Sequence, residues 1–341
     1  MRIARLQKPL VMEVEEMEAP HAGPEEVLLQ VAYCGVCGTD VDAYVGKQPR
    51  GWTITYPFRM GHELSGTVLD VGAKVAGYRP GDRVVADGRL TCGHCYYCRR
   101  GLFSACQNAG YFSGGLAEYS AYPFQNLVKI PEGISLAEAA LAEPLACVVN
   151  GQSKLNIPLG GVGLVIGDGP IGLMHSQLLQ HRGMYVLLAG LLEHRLALAR
   201  ELGINAVVNA RGQDVGQALR AASGGRGADV VIVATGGQAI LEQAIDLAAR
   251  RAQVLYFAAA LKPQITLDLD LIHYKELQLI GSYDSTIAQY EQALALMQAG
   301  AVRAQPLISH RLPLQGVQHA FELAQKQEGV KVLVTHEGAG V

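Results

Sequence analysis

A chain of 341 residues is too long for one ordinary hydrophobic core, so two domains are expected. Half of its residues are hydrophobic and 17% are charged, the composition of a globular protein rather than a disordered or fibrous one. A net charge of −3 excludes a dominant basic face for nucleic acid, and no apolar run is long enough to span a bilayer.

The opening MRIARLQKPLVMEVEE lacks the apolar run of a signal peptide, so a cytoplasmic location is expected, where thiols stay reduced. Seven cysteines (Cys34, Cys37, Cys92, Cys95, Cys98, Cys106 and Cys147) therefore need an explanation other than disulfides. Up to about residue 150 the chain alternates short apolar runs with Gly, Pro and Asp. EEVLLQVAYCG, ELSGTVLDVG, PGDRVVAD and AEYSAY read as strands of a compact β domain. Between them lie CGVCGTDVDAY and MGHELSG, whose Cys37, His62 and Glu63 offer a thiolate, an imidazole and a carboxylate. Three such ligands with an open fourth position make a catalytic zinc site. Singly, Cys37 or His62 would fit an ordinary core, so their value depends on meeting in space.

Next comes CGHCYYCRRGLFSAC, with thiols spaced C-x2-C-x2-C-x7-C at Cys92, Cys95, Cys98 and Cys106. Four thiolates this close suit a closed, structural tetrahedral zinc, with an iron–sulfur cluster as the rival. In LAEPLAC, Glu143 sits in an apolar stretch where a bare carboxylate is costly without a partner.

Beyond Gly151 the runs VGLVIGDG, MYVLLAG, NAVVNA, ADVVIVATG, AQVLYFAA and LQLIGS are continuously apolar, with helical stretches between most of them. That alternation means a parallel sheet covered on both faces. LVIGDGPIGLMHS places Gly167, Gly169 and Gly172 in G-x-G-x-x-G spacing between a strand and a helix that opens at Pro170 and Ile171. Such a turn lets the backbone approach a pyrophosphate, which the helix N-terminus then stabilises. An acid is expected about 20 residues on to hold the adenosine ribose. The second strand ends instead at Gly190. Glycine there would make room for a 2′-phosphate and favour NADP, with His194 and Arg195 the nearby cations. Alternatively, Glu193 reaches back to an unphosphorylated ribose and the cofactor is NAD. Near the end, TIAQYEQALALMQAG reads as a helix with Tyr290, Leu294 and Met297 along one side, and GVKVLVT as a strand.

Together GVCGTD, GHE, the four-cysteine lobe, EPLA and the glycine turn occur in the order of the zinc-dependent medium-chain alcohol dehydrogenases. The chain resembles that family over nearly its whole length, most of all the sorbitol and threonine dehydrogenase branch. The resemblance implies an α/β protein: a GroES-like β-rich catalytic domain over 1–152 and 287–341, with a structural zinc lobe at about 90–108. A Rossmann domain with a doubly wound parallel sheet would cover 153–286. It implies two zincs per chain. Cys37 and His62 would ligate the catalytic ion, with Glu63 and Glu143 as further ligands or partners of its water, and the loop cysteines would hold the structural ion. It also implies hydride transfer between a secondary alcohol of polyol or sugar type and NAD or NADP, by a homodimer or homotetramer.

Two positions depart from the family pattern. The ribose acid is replaced by Gly190, and the histidine often found five residues beyond the zinc cysteine is Asp42. Thr39 would still touch the substrate oxygen, with the proton leaving by Asp42 and water or by Glu143. Arg59, in YPFRMGHE, either serves an anionic substrate group or is structural, and Trp52 either lines the pocket or simply packs. The alternatives in function are a threonine-type amino-alcohol dehydrogenase and a non-catalytic zinc-ribbon binding module.

Overall fold

The computed structural model describes residues 1–48, 53–258, 264 and 266–336; Trp52 lies outside them. The chain forms two compact units. One comprises Met1–Ala146, Ser285–Gln298 and Ala304–Val341, the other Cys147–Asp284 with Ala299–Arg303. The boundary falls inside the helix Ala142–Ser153. The short return Ala299–Arg303 is tied to the second unit where the Arg303 N–H donates to Gln177 Oε1 at 2.9 Å.

Among the described residues the first unit holds a seven-stranded sheet. Leu127–Lys129, Arg83–Ala86, Glu63–Val71, Glu26–Gly35, Lys331–Thr335 and Ile308–Pro313 lie side by side in that order, and Tyr119–Pro123 also pairs with Glu26–Gly35. Every pairing is antiparallel except that of Ile308–Pro313 with Lys331–Thr335. Those two are joined through the helix Val317–Lys326, the crossover that parallel pairing requires. The strand Glu26–Gly35 alternates buried and half-exposed residues and contributes Val27, Leu29 and Val31 to the core. Leu6, Leu64, Tyr122 and Phe321 pack with them, and the Tyr44 and Phe321 rings lie 5.3 Å apart.

The second unit is a six-stranded parallel sheet among the described residues. Its order is Ala206–Asn209, Tyr185–Gly190, Val162–Ile166, Ala228–Val233, Ala248–Tyr256 and Gln278–Gly281. Counted along the chain, this is the doubly wound order that reverses beside the first strand. Val162–Ile166 is buried at every residue, as its unbroken apolar run requires of a strand covered on both faces. The glycine turn therefore leaves the carboxyl end of the first strand, at the switch point, where such sheets take their ligands. The architecture is α/β, with a β-rich unit and a Rossmann unit.

Candidate active site

Register explains the first cluster. Gly35 lies opposite Glu63 in the sheet, and a Cβ at Gly35 would come 2.0 Å from Glu63 Oε2, so glycine clears space for that carboxylate. Two residues on, Cys37 opens the short helix Gly38–Tyr44, and Asp40 Oδ2 accepts the Cys37 N–H at 3.3 Å. His62 immediately precedes Glu63. The Cys37 sulfur, an imidazole nitrogen of His62 and a carboxylate oxygen of Glu63 all lie within 4.8 Å of one another. A soft thiolate, an imidazole and a carboxylate at this separation fit a tetrahedral zinc that keeps one open position.

Two residues not singled out in the sequence shape this cluster. Asp40 is buried, with Oδ1 3.6 Å from His62 Nδ1. Burial alone would lower the imidazole's pKa, but Asp40 and Cys37 hold it well above the usual histidine range. Lys331 is the second: its Nζ sits 2.5 and 2.7 Å from the Glu63 oxygens and donates to the Val36 carbonyl at 3.2 Å. Despite burial, Glu63 and Cys37 raise the Lys331 pKa above its ordinary value. Both had a visible signal: an acid three residues after the cysteine at a helix start, and a lone charge inside the apolar run VKVLVT.

The other expected participants are placed less centrally. Glu143, in the first turn of Ala142–Ser153, stands outside the 4.8 Å group, although its charge acts on His62, Lys331 and Asp87. The Thr39 hydroxyl donates to Cys37 Sγ at 3.3 Å. Asp42 faces Lys47 at 3.3 Å on the surface. Arg59 stacks over Phe112, 5.2 Å from the ring centroid, which favours the structural reading of that arginine.

The loop cysteines Cys92, Cys95, Cys98 and Cys106 also converge within 4.8 Å. Backbone N–H groups aim at the sulfurs: Cys92 donates to Cys106 Sγ at 3.4 Å and Cys98 to Cys95 Sγ at 3.5 Å. The backbone at His94 leads in drawing the Cys92 thiol down to about 6, whereas burial pushes Cys98 up to about 12. Four sulfurs ringed by amide donors suit a closed zinc site. A groove of about 500 Å³ beside Tyr78, Lys129 and Glu291 shares no residue with either cluster.

In the second unit the glycine turn has the form a dinucleotide needs. Gly167 adopts φ +122°, and a Cβ at Gly172 would come 1.8 Å from the Gly167 carbonyl oxygen. Gly169 caps the helix Pro170–His181 with no side chain over its open N–H groups, and Pro170 follows at the first turn. Ile171 lies half-buried in that first turn. Such a cradle fits a pyrophosphate.

The end of the second strand differs from the sequence expectation. A Cβ on Gly190 would lie 2.5 Å from both Cβ and Oδ2 of Asp168, so the space at this glycine belongs to that side chain. Arg195, expected to meet a phosphate, is buried and pairs with Asp168 at 3.7 Å. Glu193, the alternative ribose ligand, is taken by Arg200 at 2.7 Å and Asn209 at 3.0 Å.

Known proteins resemble this chain in sequence and fold. A profile described as "Alcohol dehydrogenase GroES-like domain" matches residues 23–132, and one described as "Zinc-binding dehydrogenase" matches residues 170–299. The chain is 32% identical to a sorbitol dehydrogenase of Halalkalibacterium halodurans over 94% of its own length and 95% of the relative's. A zinc-binding dehydrogenase of Sinorhizobium meliloti, solved bound to NADP, superposes with TM-score 0.89 at 29% identity, covering 98% of each chain. A short chain alcohol dehydrogenase of Escherichia coli complexed with NADH superposes with TM-score 0.89 at 28% identity, covering 98% of this chain and 99% of that one. The cysteine lobe thus lies within a matched dehydrogenase domain, which overturns the reading of it as a free-standing zinc ribbon. Fold, converging donors and matched domains agree: the chain belongs to the zinc-dependent medium-chain alcohol dehydrogenases and is an oxidoreductase using zinc and a nicotinamide cofactor.

Proposed function

We propose that this enzyme oxidises a secondary alcohol of a polyol or sugar to the ketone, and reverses that reaction, with two zinc ions per chain. The convergence of Cys37, His62 and Glu63 within 4.8 Å carries this reading. These three residues would hold the catalytic ion, and the four lobe cysteines would hold the structural one. Glu143 contributes negative charge toward the same locus and would act as a further ligand or as a partner of the ion's water. When bound, zinc supplies Lewis acidity toward the substrate oxygen, and the nicotinamide carries the hydride.

The remaining work falls to side chains of this protein. Asp40 keeps the His62 ring oriented and its far nitrogen available as a ligand. Lys331 neutralises Glu63, so the buried carboxylate is retained at tolerable cost. Thr39 Oγ1 receives the alcohol proton as its own hydroxyl proton leaves. Asp42, three residues further along the same helix, stands at the outer end of that path. Gly167, Gly169, Pro170, Ile171 and Gly172 form the turn that would hold the pyrophosphate. The active assembly is a homodimer or homotetramer.

A substrate panel with metal analysis tests the proposal. Two zincs per chain, and activity on sorbitol-like secondary alcohols exceeding that on threonine, are expected. One zinc per chain would remove the catalytic-ion assignment. Faster turnover of threonine would move the enzyme to the amino-alcohol class.

A further inference from the structure

Asp168 stands in the middle of the glycine turn, where a dinucleotide fold needs no acid, and its side chain is only 11% exposed. Its Oδ2 accepts the N–H groups of Leu191 at 2.6 Å and Leu192 at 2.8 Å. Those amides lead into the helix Glu193–Glu201, so the carboxylate also benefits from the positive end of the helix dipole. Arg195, one turn into that helix, approaches Oδ1 at 3.7 Å. The carboxyl group is thereby fixed against the carboxyl end of the strand Tyr185–Gly190, in the volume that the first atoms of a residue-190 side chain would fill.

That position is where this fold expects the acid that recognises the ribose hydroxyl. We propose that Asp168 replaces it: the ribose-reading carboxylate has moved from the strand end into the glycine turn, and the chain selects NAD(H) over NADP(H). This rests on the second unit being the nicotinamide dinucleotide site. A carboxylate offers about four lone-pair positions, and two amides plus one guanidinium leave capacity for a hydroxyl donor. A 2′-phosphate would instead bring about −1.5 to −2 of charge to a fixed anion. Gly190 then marks room for Asp168, not room for a phosphate. Arg195 acts as a positioning residue, holding the carboxylate rather than the cofactor.

The test is fluorescence titration of the zinc-loaded protein with NADH and with NADPH, reading dissociation constants rather than turnover. Wild-type protein should bind NADH at least about tenfold more tightly than NADPH, about 1.4 kcal/mol, because a 2′-phosphate would face the fixed carboxylate. Asp168→Ala should weaken NADH by roughly tenfold or more, the loss of a charged hydrogen bond, and leave NADPH unchanged or tighter because Arg195 is released. The double variant Asp168→Gly/Gly190→Asp, which also removes the Cβ that a side chain at 190 would strike, returns a carboxylate to the strand end and should recover the NADH preference. The three atoms nearest a Cβ at 190 are Cβ, Cγ and Oδ2 of Asp168, and glycine at 168 removes all three. Tighter NADPH binding by the wild type would overturn the proposal, as would equal weakening of both nucleotides in Asp168→Ala without recovery in the double variant. Binding of neither nucleotide by the wild type would overturn the dinucleotide site itself, and this proposal with it.

Discussion

Lys331 and Glu63 form an ion pair whose side chains are 4% and 1% exposed, the costliest environment for a lone charge. Removing one partner from such a pair typically costs about 3–5 kcal/mol, because the other is left buried and uncompensated. Lys331→Ala should therefore lower the unfolding free energy by that amount in urea denaturation. Lys331→Ala/Glu63→Gln should recover part of the loss, and equal losses in both would break the pairing argument. Asp40 acts more locally. Asp40→Asn keeps the size but removes the charge facing His62, and zinc affinity at that cluster should fall about 10–100-fold, the usual effect of losing an outer-shell partner. Competition with a chelator reads this directly, and an unchanged affinity would reduce Asp40 to a helix-capping residue.

At the level of elements, the glycine turn and the cysteine lobe are separable machines. Gly172→Ala would drive a methyl group against the Gly167 carbonyl, so the strand–turn–helix junction must open. Nucleotide titration should lose its signal and the melting temperature should fall, while zinc content stays at the wild-type value. Cys98→Ser should behave in the opposite way. It should remove one zinc per chain by elemental analysis and leave NADH binding intact, because the lobe and the turn belong to different units. Loss of both zincs in Cys98→Ser would show that the two clusters depend on each other. The crossover helix Val317–Lys326 belongs here too, since it lays the strand carrying Lys331 beside Glu26–Gly35 and so delivers the ammonium to Glu63.

For the whole molecule, pH dependence follows from buried histidines outside the donor clusters. Burial lowers His175 to about 3 and His336 to about 4, so both are neutral in the fold. The unfolded chain takes up those protons near 6.5, so their contribution is complete above that pH. It is lost as pH falls through 6.5 toward 4 and 3. For His336 the span corresponds to roughly 3 kcal/mol at 1.36 kcal/mol per pH unit. Asp87 opposes this: burial raises it to about 6, so its contribution is present below its ordinary value near 3.8 and lost as pH rises through 6. His336→Gln should flatten the fall in unfolding free energy between pH 6.5 and 4, measured by urea denaturation at stepped pH. An unchanged slope would exclude His336 as a source of acid sensitivity.

Much of this protein is legible in its sequence alone, for a physical reason. Thiol spacing, glycine spacing and the period of apolar residues are local properties, and each constrains the chain within a few residues of itself. That is why the six apolar runs, the turn at Gly167 and the four-sulfur lobe emerged from the sequence alone. The meeting of Cys37 with His62 and Glu63 was a family likeness until the register of two strands set Gly35 against Glu63. Lys331 lies 268 residues from its partner, a separation no local pattern spans. The empty place at Gly190 has no local signature, because its meaning depends on a side chain 22 positions earlier in the chain. A glycine in a sequence records only that a side chain is missing; what fills the space is decided by tertiary packing, and here it is Asp168.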